Sequence, residues 1–232
     1  MLPVLDSDST NIDYPEAYQK GYILFCDLEI LVNENVLIPR IETEKIVELV
    51  ENYINENSKR LSNEINILDI GTGSGCIAIA LAKIIKHAKI TAIDISEKAL
   101  EVAKTNAKKH NVENKIEFVQ NDLLSEYNKK HDIIVSNLPY IPTDYIQNLN
   151  DSVKKFEPIL ALDGGKEGFE LYRKLFKQII YNDINPKFII IEFDDTHSEI
   201  ALIEGKKYFP NHHVSIKKDK YGYDRFLSIS VK

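Results

Sequence analysis

Residues 65–82 read INILDIGTGSGCIAIALA. Ile65 to Ile70 is an apolar run of strand length, and Cys76 to Ile85 continues apolar at helical length. Between them lies Gly71-Thr72-Gly73-Ser74-Gly75, so a strand passes into a helix through a glycine-rich turn. Glycines permit a tight turn and close approach of backbone to a ligand, and free N–H groups are expected at the helix start. A nucleoside-bearing ligand is therefore expected here. The glycines stand two apart, and Cys76 occupies the place of the third glycine of G-x-G-x-x-G, which argues against a dinucleotide.

Strand and helix patterns alternate outward from this turn. Ile90 to Ile93 reads as a strand, and Glu97 to Lys109 as a helix with Ser96 as its N-cap. Further strands are expected at Ile116 to Val119, Ile133 to Val135 and Phe188 to Ile191, with helices at Leu171 to Ile180 and Ile200 to Phe209. Val214 to Ile216 and Phe226 to Val231 flank Asp219-Lys220-Tyr221-Gly222 and read as a hairpin. The pattern predicts an α/β fold with a mostly parallel, doubly wound sheet and an antiparallel C-terminal hairpin, binding ligands at the carboxyl ends of its strands. Near the start, Tyr22 to Val32 followed by Asn33-Glu34-Asn35 reads as another hairpin, and residues 1–20 as a short helical or irregular stretch.

Composition narrows the function classes. Hydrophobic residues make up 44% of 232, enough for one core with a small appendage. The net charge of -7 repels a phosphate backbone, so no stable nucleic-acid binding is expected. The two cysteines, Cys26 and Cys76, are too few for a disulfide framework and point to a reducing compartment. MLPVLDSDST lacks a basic, apolar targeting pattern, and no run approaches membrane-spanning length, so a cytoplasmic protein without membrane association is expected. The six histidines show no metal-ligand spacing, and no metal is expected.

Two further strand ends carry chemistry. Asp94 closes the second strand, roughly 20 residues past the glycine turn, where a carboxylate accepts hydrogen bonds from both ribose hydroxyls. Asp132 to Ser136 runs straight into Asn137-Leu138-Pro139-Tyr140. Asn137 Oδ1 and the Leu138 carbonyl offer two acceptors, and Tyr140 a flat ring, which together suit a planar NH2 group. Asn137, Leu138, Pro139 and Tyr140 are the candidate catalytic residues. Asp69, Gly71, Thr72, Gly73, Ser74, Gly75, Asp94 and Asn137 are candidates for holding the cofactor.

The glycine turn resembles motif I of class I S-adenosylmethionine methyltransferases, whose ligand has no pyrophosphate. From Val36 onward the chain resembles the protein-glutamine methyltransferases that modify peptide chain release factors. The resemblance rests on VLIPRIETE (36–44), LDIGTGSGCIAIALA (68–82), SNLPYIP (136–142), and Glu157-Pro158 followed by LALDGG (160–165). It implies a Rossmann-like enzyme that uses S-adenosyl-L-methionine, releases S-adenosyl-L-homocysteine and methylates the amide nitrogen of the glutamine in a release factor's Gly-Gly-Gln motif. It also implies that Asp122 and Leu123 flank the adenine, and that Arg40 and Glu42 shape the substrate entrance.

Leu138 stands where the family motif has proline, and Asn-Leu-Pro-Tyr also resembles the motif of ribosomal-RNA adenine dimethyltransferases. Adenine-N6 methylation and a catalytically inert binding module are the alternatives. The family's N-terminal helical domain is expected to be shortened, with residues 1–40 a vestigial recognition segment carrying the hairpin and residues 41–232 the catalytic domain.

Overall fold

The computed structural model describes residues 14–232. The expectation for residues 1–20 lies largely outside them. Its remainder is a short helix, α1 (Glu16–Lys20), followed by the hairpin of β1 (Tyr22–Phe25) and β2 (Leu28–Leu31). Cys26 and Asp27 form its two-residue turn, both at positive φ as such hairpin turns require.

The rest of the chain alternates as expected. It runs α2 (Glu44–Glu56), β3 (Ile65–Ile70), α3 (Cys76–Ile84), β4 (Ala88–Asp94), α4 (Glu97–Lys109), β5 (Ile116–Gln120) and β6 (Ile133–Ser136). After a short α5 (Asp151–Lys154) come α6 (Glu170–Tyr181), β7 (Phe188–Glu192), α7 (Ser198–Tyr208), β8 (His212–Lys218) and β9 (Asp224–Val231). The seven strands pair in the order β5-β4-β3-β6-β7-β9-β8. All neighbours are parallel except β9, which runs antiparallel to both β7 and β8. The strand order reverses beside β3, where β4 lies on one side and β6 on the other, and a crevice opens at their carboxyl ends.

Alternation along the central strands divides the core. Ile67, Ile90, Ile133, Val135 and Ile190 face the layer of α2 and α3, while Leu68, Ile134, Ile189 and Ile191 face α6 and α7. The Ser96 hydroxyl accepts from the Ala99 N–H at 3.2 Å, which is the expected cap of α4. Helix α2 was not among the elements expected from sequence. Ile46, Val47 and Val50 bury one face of it, and Tyr53 stacks on Phe188 with ring centroids 4.3 Å apart.

The N-terminal hairpin is joined to the core rather than appended. Asn106, fully buried on α4, accepts from the Leu31 N–H at 2.7 Å through Oδ1. Its Nδ2 donates to the Leu31 and Ser74 carbonyls, each at 2.9 Å. Phe25 and Ile30 enter the same apolar cluster as α2 and α3. Asn106→Ala removes all three bonds and leaves backbone groups of the hairpin without partners. It is expected to lower unfolding stability by about 2–4 kcal/mol, read from the midpoint of urea unfolding; a change under about 0.5 kcal/mol would show that the hairpin does not depend on this side chain.

Candidate active site

The crevice contains a cavity of about 200 Å³. The glycine turn and the ends of β4 and β6 contribute Gly71 to Ser74, Asp94 and Asn137 to Pro139. Residues from the Val36–Arg40 segment, together with Pro158, Leu160 and Ala161, close the opposite side.

The turn does not present the row of free donors expected of it. The Gly71 and Thr72 N–H groups both donate to the Ile93 carbonyl, at 2.8 and 2.9 Å, and Gly75 N–H donates to the Thr72 carbonyl at 2.8 Å. Gly73 N–H donates to Asp94 Oδ2 at 2.8 Å. The neighbouring strand and its carboxylate claim the Gly71, Thr72 and Gly73 groups and the turn's own Thr72 carbonyl that of Gly75, so the turn is no phosphate cradle. Asp94 also accepts from the Ser96 N–H at 2.9 Å through Oδ1. Each carboxylate oxygen can take a second hydrogen bond, and both remain able to receive a hydroxyl donor from the cavity. An apolar cavity with one acidic strand end and no phosphate cradle fits S-adenosyl-L-methionine.

Asn137 and Leu138 are held by what they donate. Asn137 Nδ2 donates to the Thr43 hydroxyl at 3.1 Å. Leu138 N–H donates to the Tyr172 hydroxyl at 2.9 Å, a bond that a proline could not make, and Tyr172 passes its own hydrogen to the Glu192 carbonyl. Asn137 Oδ1 and the Leu138 carbonyl receive no hydrogen bond among the described residues. Glycines on both sides allow the motif its position. A Cβ on Gly71 would meet Leu138 Cδ2 at 2.7 Å, and one on Gly164 would meet the Pro139 carbonyl and Tyr140 Cα at 2.7 Å.

Three of the sequence candidates stand away from the cavity. Asp69 is fully buried beneath the turn and accepts from the Thr72 hydroxyl at 2.7 Å, so it shapes the turn from below. Gly75 begins α3 and faces Ala103 and Ile79. Tyr140 does not line the cavity, because its hydroxyl is drawn to Glu192 Oε1 at 3.3 Å and its backbone is pressed by Gly164 and Gly168. Asp122 and Leu123 do line it; Asp122 pairs with Lys174 at 2.6 Å, and Leu123, at positive φ, is also core.

The wall over the cavity rests on an ion pair. Arg40 Nη2 meets Glu157 Oε1 at 2.6 Å, and Ile38 N–H donates to Glu157 Oε2 at 3.1 Å. Glu157 is buried, so this is no exposed surface pair, and it joins the LIPR and EP segments across more than a hundred residues. Arg40 lines the cavity; Glu42 does not. Thr43, Tyr172 and Glu192 were not among the site candidates read from sequence, although VLIPRIETE (36–44) contains the first and the expected helix Leu171 to Ile180 the second.

Burial pushes the Asp69 carboxyl from 3.8 up to about 7, against the hydrogen bonds from Thr72 and Ala78. Burial likewise raises Glu192 from 4.5 to about 7, against hydrogen bonding from Thr43 and Tyr140 and the charge of Arg225. From about pH 4 to 7 the folded chain therefore retains protons that the unfolded chain has released, so stability falls as pH rises through that window and levels off above it. In urea unfolding, Asp69→Asn is expected to lose less stability than wild type between pH 5 and pH 8. Equal losses in both would mean that Asp69 is ionised throughout.

Residues 49–152 match the family model of the methyltransferase small domain. The release factor glutamine methyltransferase of Lactococcus lactis is 38% identical over 215 residues, covering 93% of this chain and 77% of the relative. That of Flavobacterium psychrophilum is 39% identical over 223 residues, covering 94% and 76%. Among solved structures, the catalytic domain of human METTL16 bound to an RNA hairpin superposes with a TM-score of 0.67 at 15% identity, covering 88% of this chain and 76% of that one. The ribosomal protein L11 methylase of Lactobacillus delbrueckii gives 0.58 at 20% identity, covering 85% and 82%. These structures share the fold, and at the identity and coverage of the sequence relatives the chain belongs to the release factor glutamine methyltransferase family.

Proposed function

We propose that this chain methylates the side-chain amide nitrogen of the glutamine in the Gly-Gly-Gln motif of a peptide chain release factor, with S-adenosyl-L-methionine as donor. The observation that carries the reading is the pair of acceptors, Asn137 Oδ1 and the Leu138 carbonyl, left without partners among the described residues at the strand end beside the cavity. Asp94 takes the ribose hydroxyls of the donor, the backbone from Gly71 to Ser74 lies along it, and Asp122 and Leu123 flank its adenine.

When bound, the donor supplies an electrophilic methyl group on a sulfonium. The chain's own task is to make a poor nucleophile attack. An amide nitrogen has its lone pair delocalised into the carbonyl. Two acceptors that each take one N–H fix the nitrogen's orientation and stabilise the positive charge that grows on it during attack. Pro139 keeps the Leu138 carbonyl in place by restricting the residue before it to extended backbone. No general base is required, because the amide proton becomes acidic as the bond forms and leaves to water. The segment up to residue 40 serves substrate recognition, its last residues forming the cavity wall, and residues 41–232 carry the chemistry. The release factor substrate places the enzyme in the cytoplasm.

Asp94→Ala is expected to weaken S-adenosyl-L-methionine binding by about 1.5–3 kcal/mol, tenfold or more, in calorimetry. Unchanged affinity in the folded variant would remove Asp94 from the site. Asn137→Ala is expected to lower kcat by roughly 100-fold while donor affinity stays within a few-fold. With labelled donor, label is expected on the release factor's glutamine; label on ribosomal-RNA adenine with that glutamine untouched would overturn the reading.

A further inference from the structure

An asparagine amide has two nearly isosteric ends, and only one of them suits a substrate NH2 group. If Asn137 were flipped, Nδ2 would point its hydrogens at the hydrogens of the acceptor, and attraction would become repulsion. Something in the protein must therefore select the orientation. Packing cannot do so, because the two ends differ little in shape.

Thr43 is the contact that selects it. Its hydroxyl, buried at the start of α2, receives Nδ2 at 3.1 Å. A hydroxyl alone is an ambiguous partner, since it can receive from Nδ2 or donate to Oδ1. The ambiguity disappears once the hydroxyl's single hydrogen is committed elsewhere. Glu192, 1% exposed at the end of β7, stands behind it. Among the described residues the Thr43 hydroxyl receives from Asn137 and donates to no other group, buried Glu192 Oε2 has no hydrogen-bond partner, and Thr43 is one of the groups that hold the Glu192 pKa down against burial.

We propose that Thr43 is a positioning residue for methyl transfer: by directing its hydrogen to the Glu192 carboxylate, it keeps its lone pair toward Asn137 and holds Oδ1 outward for the substrate amide. The inference rests on the proposed role of Asn137. An ionised Glu192 is an acceptor only and enforces the arrangement. A protonated Glu192 can donate to Thr43, which then turns its hydrogen to Asn137 Oδ1 and flips the amide. The groups facing Glu192 are Tyr140 from the loop after β6, Arg225 from β9, Glu42 from the turn before α2, and Tyr172 from α6. Among these, Glu42 is the other carboxylate, and it raises the Glu192 pKa as a minor influence behind burial.

Thr43→Val keeps the shape and removes the hydroxyl. It is expected to lower kcat about 10- to 100-fold on a release factor, with S-adenosyl-L-methionine affinity within about twofold, and Thr43→Ser is expected to restore kcat to within about threefold of wild type. Because Thr43 acts through Asn137, adding Thr43→Val to Asn137→Ala is expected to change kcat by less than about twofold. Wild-type kcat is expected to rise with pH through about 7, following Glu192, and Glu192→Gln to abolish that rise. Wild-type activity in Thr43→Val beside a crippled Asn137→Ala would overturn the role of Thr43 and leave that of Asn137 standing. Near-normal activity in Asn137→Ala would instead overturn the underlying reading. An equal loss from Thr43→Val with or without Asn137, or a pH rise that survives Glu192→Gln, would refute the arrangement, the latter even if Thr43→Val failed to fold.

Discussion

A protein interior tolerates few unpaired polar groups, and here two adjacent acceptors are kept unpaired among the described residues while Asn137 Nδ2 and the Leu138 N–H beside them each have a partner. Leu138 N–H goes to Tyr172, Asn137 Nδ2 goes to Thr43, and the hydroxyl of Tyr172 goes on to the Glu192 backbone. Glycines at 71 and 164 clear the space into which Leu138 and Tyr140 press. Two helices, one strand and two loops thus converge on four residues at one strand end. Preorganisation of this kind is what lets a weak nucleophile be aimed without a strong base.

The wall of the cavity follows the same logic at greater distance. Glu157 is buried, and Arg40 and the Ile38 N–H meet its two oxygens, so neither is left without a partner. That pairing brings Val36, Leu37 and Pro39 over the site, and the buried hydroxyl of Tyr18 on α1 steadies the segment by donating to the Val36 carbonyl at 2.5 Å.

Much of this was legible in sequence. The strands at 133–135 and 188–191 showed as continuous apolar runs because central parallel strands are covered on both faces, those at 65–70 and 116–119 as apolar runs interrupted by Asn66, Asp69 and Glu117, and the C-terminal hairpin through its turn. The acidic end of β4 and the Asn-Leu-Pro-Tyr segment were legible because each sits where a strand stops. What sequence could not show was where hydrogen bonds go between distant segments. The turn's N–H groups are claimed by Ile93 and Asp94, and Asn137 and Thr43 meet across 94 residues. Asp69 looked like a ligand contact because of its place beside the glycines, but its side chain points beneath the turn to Thr72. Tyr140 looked like a stacking face because of its neighbours in the motif, but a buried carboxylate holds its hydroxyl away from the cavity.

Asn106 joins two distant parts of the chain through one side chain. Its amide bonds Leu31 of the N-terminal hairpin and Ser74 of the ligand turn at the same time, so local opening of either must break or strain the same side chain. A molecule that tightens the turn therefore raises the free energy of opening the hairpin, and the linkage is reciprocal. Slower amide hydrogen exchange in β2, a strand with no residue in the cavity, would be the trace that a bound donor leaves outside its own site.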